Sequence, residues 1–200
     1  MPQPTVRTPA AVTLATAVLD LVVLVLFHVV QPEVDVLRSA TSSYVHGTLG
    51  FLSPVAMVAV GIGALALALA AWRVTSGARS RTGIAFLVMF GLAKIVQAFF
   101  PIDAEGTSSS TGDLHRLLGI LAFFTLPFAI VLLTPLLAPA GTSRGAVLAV
   151  TWLPVLATVL VIAGDSLGVF GLLQRVYLVL AALWAAVVAR WLLRAGPATA

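Results

Sequence analysis

AAVTLATAVLDLVVLVLFHVV, residues 10–30, is an apolar run broken by one carboxylate, Asp20, and one imidazole, His28. At 1.5 Å rise per residue a helix of this length covers about 30 Å, the thickness of a bilayer's hydrocarbon core. The preceding MPQPTVRTPA, with its single Arg7, has the look of a signal-peptide n-region. The run after it is too long for such a leader, however, and no small-x-small cleavage pattern follows it. It reads as a first membrane helix.

Five more apolar segments follow, at about residues 47–71, 82–100, 114–137, 146–163 and 171–192. None alternates in the manner of a lipid-facing barrel strand, so helices are the spans that can satisfy their own backbone in lipid. The expected fold is all-α: a six-transmembrane-helix bundle of three antiparallel hairpins, one integral membrane domain over residues 1–200. The composition agrees, at 60% hydrophobic and 9% charged, against about a quarter charged in a soluble domain. Mean hydropathy is +1.12. Pro54, Pro127, Pro135 and Pro154 fall in or near the ends of spans, where kinks are tolerated.

Charge sets the orientation. With the N-terminus in the cytoplasm, the inner side carries Arg7, Arg73, Arg79, Arg81, Arg144, Arg190 and Arg194, and the outer side Arg38, Arg116 and Arg175. That bias follows the positive-inside rule and predicts cytoplasmic N- and C-termini. The four tryptophans, Trp72, Trp152, Trp184 and Trp191, then lie toward the inner interface as belt residues. Six of the seven acids and all three histidines fall on the outer side, Asp20 being the exception within a span. The net charge of +4 forms no basic stripe, which argues against nucleic acid as a partner. The absence of cysteine excludes disulfides and thiolate chemistry.

A shift of 69 positions lays Pro32 on Pro101, His46 on His115 and HGTLGFL over HRLLGIL. Two readings stay open: a duplicated hairpin in which each histidine opens an inward helix, or recurrence within Leu/Gly-rich sequence.

Candidate site residues come from the outer loop and the buried charges. Asp103 follows Pro101, Asp113 stands where a helix N-cap belongs, and His115 comes two residues later. If the hairpins converge, His46, His115 and Asp103 have the chemistry of a zinc-like metal site. Asp20 and Lys94 are ionisable groups at membrane depth, where a charge costs roughly 2.5–3.5 kcal/mol and faces a partner or a cavity. Their depths, ten and six residues from the expected outer helix ends, differ by about 6 Å, within reach of the lysine stem. An ion pair joining the first and third spans is one reading, and a ligand-binding or proton-relaying site is the other. Gln97 and Pro101 continue the face of Lys94 toward the loop. Arg175, near the start of the sixth span, is placed to pair with Asp165 or to face the same outer pocket.

The run GLAKIVQAFFPID (91–103), the Gly/Ser/Thr-rich stretch after it and GDLHRLLGILAFFTLP (112–127) together resemble the signature of the Domain of Unknown Function 998 membrane proteins. Phe100, Pro101, Asp103, Gly106, His115 and Pro127 carry the resemblance. It implies a small bacterial or archaeal protein of about six spans, with Asp103 and His115 acting as a unit, and it implies no activity.

The expected protein is therefore multi-pass in the cell membrane, with an outward-facing polar pocket formed from Asp103, His115, His46, Lys94, Asp20 and Arg175. Three functions fit. The first is non-catalytic binding of a lipid or small solute, or support of a membrane-protein partner. The second is a metal-dependent membrane hydrolase using His46, His115 and Asp103 to activate water. The third is a haem-binding electron-transfer subunit.

Overall fold

The computed structural model describes residues 6–164 and 166–194. Six long helices follow one another: α1 (Arg7–Val30), α2 (Leu52–Val74), α3 (Ala78–Gln97), α4 (Ser110–Leu137), α5 (Arg144–Gly164) and α6 (Phe170–Arg194), with a 3-10 helix at Thr41–His46 between α1 and α2. All six are long and apolar enough to cross a membrane, and no strand occurs among the described residues. Each helix packs on its neighbour in chain order, and α6 returns to α1, closing a ring. The α4–α5 seam is its thinnest.

Local chemistry moves several boundaries from their expected places. Helix α2 begins at Leu52 and not at residue 47. A helix running from 47 would require Pro54 to donate to Gly50, and proline has no N–H to give. Helix α3 starts at Ala78, just after Gly77 turns the chain at φ 89°, a left-handed conformation that glycine adopts without strain. It stops at Gln97: Pro101 has no N–H to give Gln97 O, and the Phe99 and Phe100 amides close tighter turns onto Val96 O and Gln97 O. Helix α4 starts at Ser110, where the Ser109 hydroxyl accepts from the Gly112 amide at 3.1 Å. Ser109, and not Asp113, is therefore its cap.

Helices α2 and α3 touch backbone to backbone at Gly61 and Gly91. A Cβ on Gly61 would stand 2.6 Å from the Gly91 carbonyl oxygen. Thr13 Oγ1 on α1 donates to Gly63 O on α2 at 2.9 Å, a small-residue seam of the kind membrane helices favour. Pro135 leaves Val131 O without its helical donor, and Arg79 Nη2 supplies one from α3 at 3.2 Å.

The packed core occupies the half of the ring nearest the α2–α3 turn. It includes Leu67, Leu87, Ile130, Leu133, Trp184 and Val188, all nearly inaccessible. Trp184, expected at the interface, is in this core and donates its indole N–H to Thr134 Oγ1 at 2.9 Å. The other half of the ring encloses a cavity.

Candidate functional site

The cavity has a volume of about 690 Å³, within the range of small-molecule sites. Its floor is Leu67, Leu87, Leu126 and Trp184, and its top reaches Thr41, Ile102 and Arg116. From Leu126 to Arg116 along α4 is about 15 Å. The wall is mainly apolar, contributed by all six helices, with a few polar side chains on it.

Asp20 reaches the cavity because α1 turns one face inward. Thr13, Ala17, Val23 and Phe27 are buried on that face, and Asp20 falls on it by helical spacing. No described residue donates a hydrogen bond to its carboxylate. Lys94 and Tyr177 share the wall. Each of Asp20 and Lys94 is the other's principal charged neighbour, and Tyr177 lies within electrostatic reach of Asp20. The Tyr177 hydroxyl, like Asp20, has no hydrogen-bond partner among the described residues, while its ring packs 4.7 Å from that of Phe123.

The direct Asp20–Lys94 ion pair is not closed, since the two do not approach within 4.0 Å. Lys94 turns instead to Gln97, donating to Oε1 at 2.7 Å. Gln97 donates in turn to His115 O at 3.0 Å.

The His115 ring is buried, and its Nδ1 lies 2.6 Å from Phe100 O. A carbonyl only accepts, so Nδ1 carries the proton and the neutral ring keeps Nε2 as an acceptor. Lys94, Gln97 and His115 thus form a hydrogen-bonded chain joining α3 to α4, with His115 also on the cavity wall.

Asp103 holds the rim. Its carboxylate accepts from Ser109 Oγ at 2.5 Å and Ser109 N at 3.1 Å, and Arg116 Nη2 stands at 3.4 Å. The Ser109 hydroxyl above all, with the Ser109 amide and the Arg116 guanidinium, holds this carboxyl below the usual range. Asp113 pairs with Arg116 at 2.6 Å. Asp103 therefore fixes Arg116 at the cavity mouth without lining the cavity itself.

The three proposed metal ligands are not gathered. Among the described residues no group of three His, Asp or Glu is arranged to hold a metal ion. His46 ends the 3-10 helix and is exposed, His115 is buried with its ring turned to Phe100, and Asp103 is engaged by Ser109 and Arg116. The two histidines matched by the 69-residue shift are structurally unlike: His46 is exposed at the end of a 3-10 helix and His115 is buried in α4.

Arg175 also stands apart from the cavity wall. It is buried, and its Nε donates to His28 Nε2 at 3.0 Å. Its Nη1 donates to Val36 O, Ser39 O and Gly171 O at 3.1, 2.9 and 2.9 Å, and Nη2 to the Tyr44 hydroxyl at 3.1 Å. Its expected partner Asp165 lies outside the described residues. His28 Nδ1 sits 2.6 Å from Leu24 O, which fixes the tautomer that offers Nε2 to the arginine. This cluster ties the segment between α1 and α2 down onto α6.

The chain matches, over residues 14–191, the model of a family described as Protein of unknown function (DUF998). It belongs to that family. No curated protein and no solved structure matches it. The resemblance carried by residues 91–127 is thus extended over most of the chain. In this DUF998 protein Asp103 is held by Ser109 and Arg116 and His115 by Phe100.

Sequence reasoning missed Tyr177, Gln174 and His28. Gln174 and Tyr177 are three apart and share a helix face, a polar pair detectable in an otherwise apolar segment. The role of His28 had no local signal, because its partner lies 147 residues away.

Proposed function

We propose that this DUF998 protein binds a lipid or small amphipathic solute, without chemical conversion, in the cavity between its helices. On this reading it lies in the plasma membrane with both ends cytoplasmic, because the arginines concentrate at the end opposite the cavity mouth. The observation that carries the proposal is the cavity itself. An apolar wall sized for a small molecule surrounds Asp20, Lys94 and Tyr177, two of which have no hydrogen-bond partner among the described residues. Polar groups held at such depth without partners mark a binding site more than a packing element.

The test uses native mass spectrometry of the full chain in a mild detergent, after exchange from membranes. The wild type is expected to retain one lipid-sized adduct per chain. Ala181→Trp places an indole in the cavity, since Ala181 lines it, and is expected to abolish the adduct while leaving a folded, monodisperse protein. Identical adducts on both proteins would overturn the reading.

A further inference from the structure

The cavity wall carries one anion and one cation, set apart and facing the same space. An ion pair at contact distance would be a structural element. Asp20 and Lys94 are not at contact distance, and the only hydrogen bond either makes among the described residues is that of Lys94 to Gln97. An ammonium nitrogen offers three donors, so Lys94 retains two for another acceptor. The Asp20 oxygens retain all their acceptor capacity.

The net charge of the two groups is zero. A ligand with a net charge would leave one of them uncompensated in an apolar site, which is strongly unfavourable. A ligand carrying both an ammonium and an acidic group matches both, and adds no net charge to the membrane interior.

The route into the cavity is visible in the lining. Four lining residues are also exposed: Arg116, Ile120 and Phe124 on α4, and Ile162 on α5. The last three are 53%, 56% and 61% accessible. They stand on the two helices of the α4–α5 seam, the thinnest in the ring. Accessible apolar side chains on the cavity wall at its thinnest seam point to a lateral opening there, with Arg116 at its outer edge. A soluble zwitterion has no need of an apolar side door, whereas a lipid can pass its chains through one without leaving the hydrocarbon.

We propose that the cavity selects a zwitterionic amphiphile, its ammonium on Asp20 and its acidic group on Lys94, admitted from the bilayer between α4 and α5. This rests on the reading that the cavity binds an amphiphile, and adds the head-group chemistry and the entrance.

The experiment measures retention of five probes by the full chain in an uncharged detergent: phosphatidylethanolamine, phosphatidylglycerol and diacylglycerol with the same acyl chains, the cationic amphiphile oleylamine, and soluble glycerophosphoethanolamine. Phosphatidylethanolamine is expected to bind at least about tenfold tighter than diacylglycerol, as hydrogen bonds to charged groups would give. Asp20→Asn is expected to lower the phosphatidylethanolamine affinity by about tenfold and to strengthen phosphatidylglycerol, whose negative charge no longer leaves Asp20 uncompensated. Lys94→Met is expected to weaken both phospholipids while leaving oleylamine bound. A merely structural role for either residue would weaken all probes together, and that result overturns the proposal.

Equal binding of phosphatidylethanolamine and diacylglycerol, both blocked by Ala181→Trp, would overturn the zwitterion while leaving the amphiphile reading standing. No retention of any lipid by the wild type would overturn both. Glycerophosphoethanolamine binding as tightly as the intact lipid would overturn the bilayer source. Joining α4 to α5 with a long bifunctional maleimide across Ile120→Cys and Ile162→Cys, in a chain that has no other cysteine, is expected to slow lipid exchange, and unchanged exchange in the cross-linked protein would overturn the entrance.

Discussion

Replacing Arg175 should be the most destabilising single change at the mouth end of the bundle. Its guanidinium donates to five acceptors drawn from four separate stretches of chain: His28 on α1, Val36 and Ser39 in the following segment, Tyr44 in the 3-10 helix and Gly171 on α6. In Arg175→Met the Gly171 carbonyl keeps its ordinary helical donor, and the Tyr44 hydroxyl is free to turn. Val36 O, Ser39 O and His28 Nε2 lose the donor that joins them to α6. At about 1–3 kcal/mol for each buried acceptor left bare, and with some relaxation of the segment, the expected loss is about 3–5 kcal/mol. Arg175→Lys should recover less than half, because an ammonium is a point donor and cannot span a fork of acceptors.

The assay is reversible unfolding of the full chain in mixed micelles, followed by tryptophan fluorescence, with Arg175→Met, His28→Phe and the double variant compared. A melting midpoint would fall by about 6–20 °C for Arg175→Met, using about 2–4 °C per kcal/mol for a chain of this size. His28→Phe alone should cost about 1–2 kcal/mol, and the double variant should fall short of the sum by about 1 kcal/mol. An Arg175→Met protein within about 1 kcal/mol of wild type would refute the staple, since such a change is ordinary for surface positions. So would strict additivity with His28→Phe, because it would mean that the two side chains do not share a bond.

Three further outcomes follow from the packing and the loop. Gly61→Ala should cost about 1–3 kcal/mol as an overpacked seam, and more than Gly91→Ala, whose added carbon meets the Gly61 carbonyl at 3.0 Å where the reverse approach is 2.6 Å; equal midpoints for the two would contradict the geometry. Trp184→Phe removes the indole bond to Thr134 Oγ1, while Thr134 keeps its own bond to Ile130 O at 2.7 Å. A loss of about 1 kcal/mol is expected, and a loss above about 3 kcal/mol would mean that the ring does more than this bond and its packing imply. The Asp103 carboxyl is held below its ordinary value of 3.8, first by the Ser109 hydroxyl. Its contribution is thus present above that ordinary value and lost as pH falls through the depressed one. Asp103→Asn should lower the melting midpoint at neutral pH, and its gap from wild type should close in strong acid; a gap independent of pH would show that the charge is not involved.

The spans were readable because lipid imposes a strong rule. A backbone that cannot bond to water must bond to itself, so a run such as 10–30 has one outcome and α1 ends at Val30 as expected. What failed to read were the places where a single residue overrides the run: Pro54 delaying α2, Pro101 shortening α3 and Ser109 taking the cap expected of Asp113. The ion-pair expectation met a nearer partner: Lys94 donates to Gln97 on its own helix and stays beyond 4.0 Å of Asp20 on the same cavity wall. The metal reading failed for a related reason, since the 69-residue shift aligned two histidines by sequence while their local structures differ. His46 closes a 3-10 helix in the open, and His115 is pinned inside α4 by Phe100.

The cavity itself is a product of the ring and not of any one segment. Each helix contributes an apolar face that would serve equally well in a solid core, as Ile130, Leu133 and Val188 do at the far end. The mouth end remains open between the helices because other contacts hold it in shape. Arg175 draws the 31–46 segment onto α6, and Gln97 bridges α3 to α4 through His115 O while packing against Gly119, whose missing side chain leaves it room. These bonds fix the wall at its edges, and Asp20, Lys94 and Tyr177 are left facing the interior with bonding capacity unused. A protein selected only for packing would replace those three with leucine or phenylalanine, since removing a buried charged pair in favour of apolar groups is commonly neutral or stabilising. On the proposed reading their presence at this depth, on a wall shared with the exposed Ile120, Phe124 and Ile162, serves what they bind more than what they hold together.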